Sequence, residues 1–267
     1  MKSTTLRPYL TAFRIRALLE TQYRGAALGG VITQAFFGVV LAYLYTALYA
    51  GGDPAGLRDT VTYVWLQQMF FRVLMTSDGE LQNQIMTGSL AYTLCRPVDQ
   101  HAYWVCRDLA AQWVGALMRM LPMIALQFIL PREVRMALPE SPAAFLQFLL
   151  SLALGVACVA QIHAVTSAVT MKTLDSRGIS GMINLLMMIL AGNIIPLTLF
   201  PDAVQALMRY QPFAQALDAP IRMYQHAQGA GEFFISLAAQ LAWLTVLTAG
   251  GRALWRQHLR SVTVQGG

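Results

Sequence analysis

Gly178-Ile179-Ser180-Gly181 comes closest, among the residues of this chain, to a covalent chemistry. It matches G-x-S-G, the setting of a serine nucleophile inside a membrane. Such a serine needs a histidine base on a later span at similar depth. The later histidines are His226, expected outside, and His258, expected in the cytoplasmic tail; His163 comes earlier. Gly178 and Ser180 can equally well begin a helix. Nothing else in the chain matches a nucleophile motif. There is no G-x-x-x-x-G-K-[ST] to cradle nucleotide phosphates and no H-E-x-x-H. Cys95, His101 and Cys106 share one loop, but at no zinc-ligand spacing. The expectation is no catalytic residue, no metal site and no cofactor held by this chain.

Polar groups inside apolar runs are the other source of chemistry. Arg119 falls near the middle of one such run, with Pro122 one turn later. An arginine at that depth is costly unless it is paired or wetted. Arg72 lies nearer a run's end, where its head can reach the interface. His163, Asn184 and Asn193 add hydrogen-bonding capacity, as do Gln34, Gln67 and Gln68. Arg119, His163, Asn184 and Asn193 are candidates for a substrate path. The competing reading is interhelical pairing, at about 0.6 kcal/mol per bond. No acid is expected in mid-span, which weighs against a proton- or sodium-coupled carboxylate relay.

The elements that carry these residues follow from composition. Hydrophobic residues make up 56% of the 267 and charged residues 12%. A chain this apolar cannot cover itself with polar surface, so soluble, disordered and disulfide-scaffold classes are excluded. A helix crosses the hydrocarbon core in about 20 residues. Four long runs lack charge and two more carry one arginine each, which predicts an all-α protein with six spans. The expected spans are 25–50, 60–77, 109–131, 144–170, 179–200 and 233–251 of a single domain, 1–267. Twelve basic residues lie on the side that holds both termini and five on the other. The positive-inside bias therefore places both termini in the cytoplasm. The net charge of +6 is explained by topology and calls for no nucleic acid.

Three segments between the spans carry pattern. In residues 5–23, Leu6, Leu10, Phe13 and Ala17 share one helical face, flanked by Arg7, Arg14 and Arg16. This is the pattern of a helix lying in the inner interface with its arginines at lipid phosphate. Ser77-Asp78-Gly79-Glu80 matches a capping box, and Gly88 suits a helix stop, which predicts a short cytoplasmic helix over 78–87. A second short element covers Leu90–Cys95, before Arg96-Pro97. The 78–87 helix reads as a docking knob or as a plain connector. The stretch 202–225 reads as two short outer helices separated by Pro212, with Asp202 as a cap, dipping back toward the membrane.

Several stretches taken in order resemble a known family. They include Phe13-Arg14-Ile15-Arg16, Tyr63-Val64-Trp65-Leu66-Gln67-Gln68, Ile85-Met86-Thr87-Gly88-Ser89-Leu90-Ala91-Tyr92 and Leu94-Cys95-Arg96-Pro97. Ser176-Arg177-Gly178-Ile179, Ile195-Pro196-Leu197 with Phe200-Pro201, and Val264-Gln265-Gly266-Gly267 complete the set. With these the chain is similar to the membrane permease subunits of ABC-2 type ABC exporters. The resemblance implies a bacterial inner-membrane permease that acts with a second permease, heterodimer favoured over homodimer, and with separate ABC ATPase subunits. ATP and Mg would then be bound by the ATPase partner. It implies a coupling helix at 78–87 that touches the ATPase through Glu80, Leu81, Gln84, Ile85 and Thr87. Arg14, Arg16 and Arg96 would meet lipid phosphate or a partner. The alternatives are an intramembrane serine protease using Ser180 and a membrane scaffold that transports nothing.

Overall fold

The structure, a computed structural model, describes residues 6–75 and 79–259. All regular structure in these residues is helical. Helix α1 covers Arg7–Gln22, α2 Arg24–Leu48, α3 Pro54–Leu74, α4 Glu80–Met86 and α5 Leu90–Leu94. Then follow α6 (Gln100–Gln127), α7 (Pro142–Thr173), α8 (Ser176–Leu190), α9 (Asp202–Met208), α10 (Pro212–Gln225) and α11 (Ala230–Leu259). The helix starts have local causes. Asp53, Asp99, Ser141, Asp175 and Gln211 each accept backbone N–H bonds at the start of α3, α6, α7, α8 and α10. Pro54, Pro142 and Pro212 open α3, α7 and α10, where the missing N–H has no cost.

Four helices, α2, α6, α7 and α11, are long and apolar enough to cross a membrane. Helix α3 is 21 residues long but more polar, and its stretch Thr60–Phe70 is buried throughout. Its Gln67 and Gln68 thus face protein rather than lipid. The expected span 179–200 is α-helical only over Ser176–Leu190, with a single 3-10 turn at Leu197–Leu199. At 1.5 Å per residue its 15 residues fall well short of a bilayer core of about 30 Å. The stop is local. Gly192 takes φ +75°, and the Tyr63 hydroxyl lies where a side chain there would begin. Pro196 then denies the chain an N–H.

Helix α7 is the hub, packing against α3, α4, α6, α8, α10 and α11. Small residues bring backbones together, as interfaces between membrane helices require. At Gly155 an added methyl would run into the Ala216 carbonyl of α10. Nearly all of α10 is therefore buried, from Ala214 to Tyr224, with Arg222 half-buried. This segment packs into the core of the bundle. Helix α9 next to it has no buried residue, and Asp202 is its first residue rather than its cap. The capping-box residues Ser77 and Asp78 lie outside the described residues. Gly88 does take the left-handed conformation after α4 and Thr87. Residues 190–200 and 131–137 cover the same end of the bundle, where Trp65 Nε1 donates to Val134 O at 2.8 Å.

Candidate functional site

Helix α4 is short and its buried residues are two, Leu81 and Ile85, one turn apart. Both are buried in a cluster with Ala12 of α1, Tyr103 and Trp104 of α6, Met171 of α7 and Trp255 of α11. That i, i+4 pair seats the helix on the bundle. Leu81 and Ile85, expected as ATPase contacts, are thus packing residues. Gln84 turns aside and accepts a bond from the Thr93 hydroxyl at 3.0 Å. What α4 presents outward is Asn83, Met86 and Thr87, and α5 adds Tyr92, 82% exposed. Met86 and Tyr92 were not singled out from the sequence. Large apolar side chains left outward on an otherwise well-seated helical pair were the available signal.

Glu80, the first residue of α4, joins three elements. Its carboxylate accepts from Arg107 of α6 at 2.7 and 2.5 Å and from Arg16 of α1 at 3.3 Å. Arg16 also pairs with Glu20 at 2.5 Å. Arg16 therefore faces the protein interior, not lipid phosphate as expected. Leu6, Leu10, Phe13 and Arg14 are exposed on the other side of α1. Arg107 is stacked over the Trp104 ring at 5.3 Å and the Tyr103 ring at 5.8 Å. Its charge is thus held by a carboxylate and two aromatic faces. Arg96 is exposed and donates to the Tyr103 hydroxyl at 2.9 Å.

A second polar cluster borders the same small cavity as Glu80 and Arg107. Helix α6 begins at Gln100, so Asp108, one residue before the expected span 109–131, is inside the helix and buried. The helix start moved because Asp99, capping the backbone N–H of Ala102, opens it ten residues before the expected span. Asp108 Oδ2 lies 2.8 Å from His163 Nδ1 on α7, and the Gln112 amide is 3.2 Å from the same nitrogen. Nδ1–H donating to Asp108 leaves no acceptor there for an amide N–H. Turning the Gln112 amide over brings its oxygen to the ring and gives that buried oxygen a partner. His163 Nε2 and Asp108 Oδ1 are buried without a partner among the described residues. Both residues border a cavity of about 30 Å³, enough for a water molecule.

The four expected path residues do not converge. Arg119 lines a separate space between α1, α2 and α6 and donates to Gly115 O at 3.1 Å. His163 is committed to Asp108. Asn193 lies in the turn after α8, beside Gln67 and Tyr63. Asn184 is half-buried on α8. Ser180 accepts from Gln82 Nε2 of α4 at 2.8 Å, and an amide cannot take its proton. Cys95, Cys106 and Cys158 are free thiols. No group of three His, Cys, Asp or Glu able to hold a metal occurs among the described residues.

At the opposite end, buried polar groups are consumed by structure. Asp218 of α10 accepts from the Tyr63 hydroxyl at 2.7 Å and ion-pairs with Arg222 at 2.8 Å. Gln240 of α11 donates to Ser151 and to Gln215 O, tying α11 to α7 and α10.

What the described residues do show is a short helix clamped by charge to two others and a bundle of long apolar helices. Nothing among curated proteins matches the chain. The family model described as ABC-2 family transporter protein matches residues 31–266, nearly the whole length. The chain with its clamped α4 and apolar bundle belongs to the ABC-2 family of transporter proteins.

Proposed function

We propose that the chain is the permease subunit of an ATP-driven exporter. It works with a second permease, a different chain in preference to a copy, and with separate ATPase subunits that bind the ATP and Mg. In this reading α2, α3, α6, α7, α8 and α11 cross the bacterial inner membrane, with both termini in the cytoplasm. Helix α3 is shielded by its neighbours, and α8 is extended by the turn that follows it. This chain binds no nucleotide and catalyses nothing.

One observation carries the coupling part. Helix α4 is seated by Leu81 and Ile85 and tied through Glu80 to both α1 and α6, yet leaves Asn83, Met86 and Thr87 outward. A push on that outward face reaches two other helices through short, charged contacts. A contact made by packing alone would slip more easily than one fixed by directional, charge-assisted bonds. The ATPase contact is therefore Asn83, Met86, Thr87 and Tyr92 rather than the inward pair. The Gln82–Ser180 bond supports this reading over the protease, since it occupies the hydroxyl with a group that is no base.

The test is copurification of the tagged full chain from its own membrane in mild detergent, with ATP hydrolysis measured on the same sample. The expected result is a P-loop ATPase and a second permease, with vanadate-sensitive hydrolysis. Recovery of the chain alone, under conditions that preserve a known complex, overturns it. Ser180→Ala is expected to leave export unchanged.

A further inference from the structure

Three tryptophans are buried among the described residues, Trp65, Trp104 and Trp255. Trp65 Nε1 donates to Val134 O and Trp255 Nε1 to Ala164 O, each at 2.8 Å. Trp104 Nε1 is buried too, but has no partner among the described residues. Arg107 Nε, Asp108 Oδ1 and His163 Nε2 are buried in the same condition. Native proteins seldom leave such atoms unsatisfied, and four on neighbouring residues call for a common cause.

All four residues line the cavity of about 30 Å³ between α6 and α7. Helical spacing brings them there. Helix α6 contributes Trp104, Arg107 and Asp108 at i, i+3 and i+4, and α7 contributes Ala160, His163 and Ala164 at the same intervals. The two alanines are buried and small, which leaves space in the seam. Every lining residue is buried except Arg16 and Glu80, which are half-buried. Solvent therefore has its entry on the side of α1 and α4.

The donors and acceptors select the occupant. Trp104 Nε1–H and Arg107 Nε–H are donors, and Asp108 Oδ1 is an acceptor. His163 Nε2 is a second acceptor, because Nδ1–H is spent on Asp108. An anion would satisfy the donors and face two acceptors; a cation would satisfy the acceptors and face two donors. Water has two hydrogens and two lone pairs, the complement of this set. The volume agrees, since it has room for a water and little more.

We propose that this cavity is a binding site for an ordered water held by Trp104, Arg107, Asp108 and His163. Arg107 grips Glu80 of α4, and Asp108 with His163 ties α6 to α7. The water thus joins the α4 clamp to the α6–α7 seam, and such a bridge is nearly as strong as a direct bond. The inference rests on the packing of α6 against α7 and stands apart from the exporter reading.

The experiment is X-ray radiolysis of the full chain in mild detergent, with oxidised residues located by mass spectrometry. Hydroxyl radicals form where water is, so a buried side chain is oxidised when water sits beside it. Trp104 and His163 are expected to oxidise at a rate comparable with exposed Tyr92, while Trp65 and Trp255 stay at background. Ala160→Leu fills the cavity without touching a polar atom. It is expected to bring Trp104 and His163 down to the level of Trp65 and to leave Tyr92 unchanged. Trp104 and His163 as inert as Trp65 in the parent chain would overturn the site. So would undiminished oxidation of both in folded Ala160→Leu, which would mean that bulk solvent reaches them by another route. Should Ala160→Leu fail to fold, a structure of the parent chain that resolves ordered water decides. Water within hydrogen-bond distance of these atoms supports the site, and a dry cavity overturns it.

Discussion

The two ends of the bundle treat buried polarity in opposite ways. Around α10, charge and amide groups are locked by short bonds between closely packed backbones: Asp218 with Tyr63 and Arg222, Gln240 with Ser151 and Gln215, and Gly155 against Ala216. Around α4 the bonds are as short, but the carboxylate they meet is 37% exposed and shared between arginines from two helices. An open cavity of about 490 Å³ lies next to it. The first end is an anchor, in which moving one helix breaks packing. The second is a joint, in which one arginine can take up what another releases. A machine that passes movement from a docking helix into a bundle needs both, and the chain places them at opposite ends.

The anchor breaks most readily at Gly155. Gly155→Ala drives a methyl into the Ala216 carbonyl, so α10 must lift from α7. The expected loss is about 3 kcal/mol, at the upper end of overpacking. Thermal unfolding in detergent measures it, and a fall under about 1 kcal/mol would mean that the helices slide freely there. Tyr63→Phe comes next. It withdraws a donor from a buried carboxylate while leaving the ring, and costs about 2 kcal/mol in the same assay.

The joint is expected to respond differently. Glu80→Gln keeps the shape but removes the charge that Arg107 and Arg16 share. Because Glu80 is partly exposed and Arg107 keeps its Trp104 and Tyr103 faces, stability falls by only about 1 kcal/mol. ATP-driven transport in the assembled complex is expected to fall about tenfold while the ATPase still copurifies. Loss of stability as large as that of Gly155→Ala, or transport at the parent rate, would erase the distinction between the two ends.

Much of this fold was legible because apolar runs are forced into helices by desolvation of the backbone. The uncharged runs at 25–50, 144–170 and 233–251 fall on α2, α7 and α11, with ends within three residues except that α11 runs on for eight more. The ends moved because charge marks where lipid stops, whereas caps mark where helix starts. Asp99 opens α6 early and carries Asp108 inside it. The depth to which α10 is buried was not legible. Its polar residues find partners far away in sequence or nearby: the Tyr63 hydroxyl donates to Asp218, Arg222 pairs with Asp218, and the Gln215 amide donates to Arg209 O. The site was legible in part. The placing of α4 came from the Ser77–Glu80 pattern, the Leu81–Ile85 stripe and Gly88, while the inward direction of that stripe and the Arg16–Glu80–Arg107 clamp join positions far apart in sequence that no local pattern connects.

The smallest expected effect is also the one that tests whether the anchor carries a true buried charge. Asp218 is enclosed, and burial pushes its carboxyl above the ordinary value against the pull of Arg222 and the Tyr63 hydroxyl. Ionising it therefore costs more in the folded chain than in the unfolded one. Its contribution is fully present below the ordinary carboxylate value of about 3.9 and is lost as pH rises through the higher folded-state value. Other carboxylates titrate in the same window, so the quantity to measure is the difference between the parent chain and Asp218→Asn. That difference, taken from unfolding temperatures between about pH 4 and 7, should move against the parent as pH rises. The asparagine keeps a carbonyl for the Tyr63 hydroxyl and has no proton to lose, so the variant starts close to the parent, whose carboxyl is neutral there, and loses less as pH rises. A pH-independent difference would mean that Arg222 and Tyr63 hold the carboxylate as comfortably as water does. The α10 end would then be an anchor by packing at Gly155 alone, with its polar bonds adding direction but no electrostatic strain.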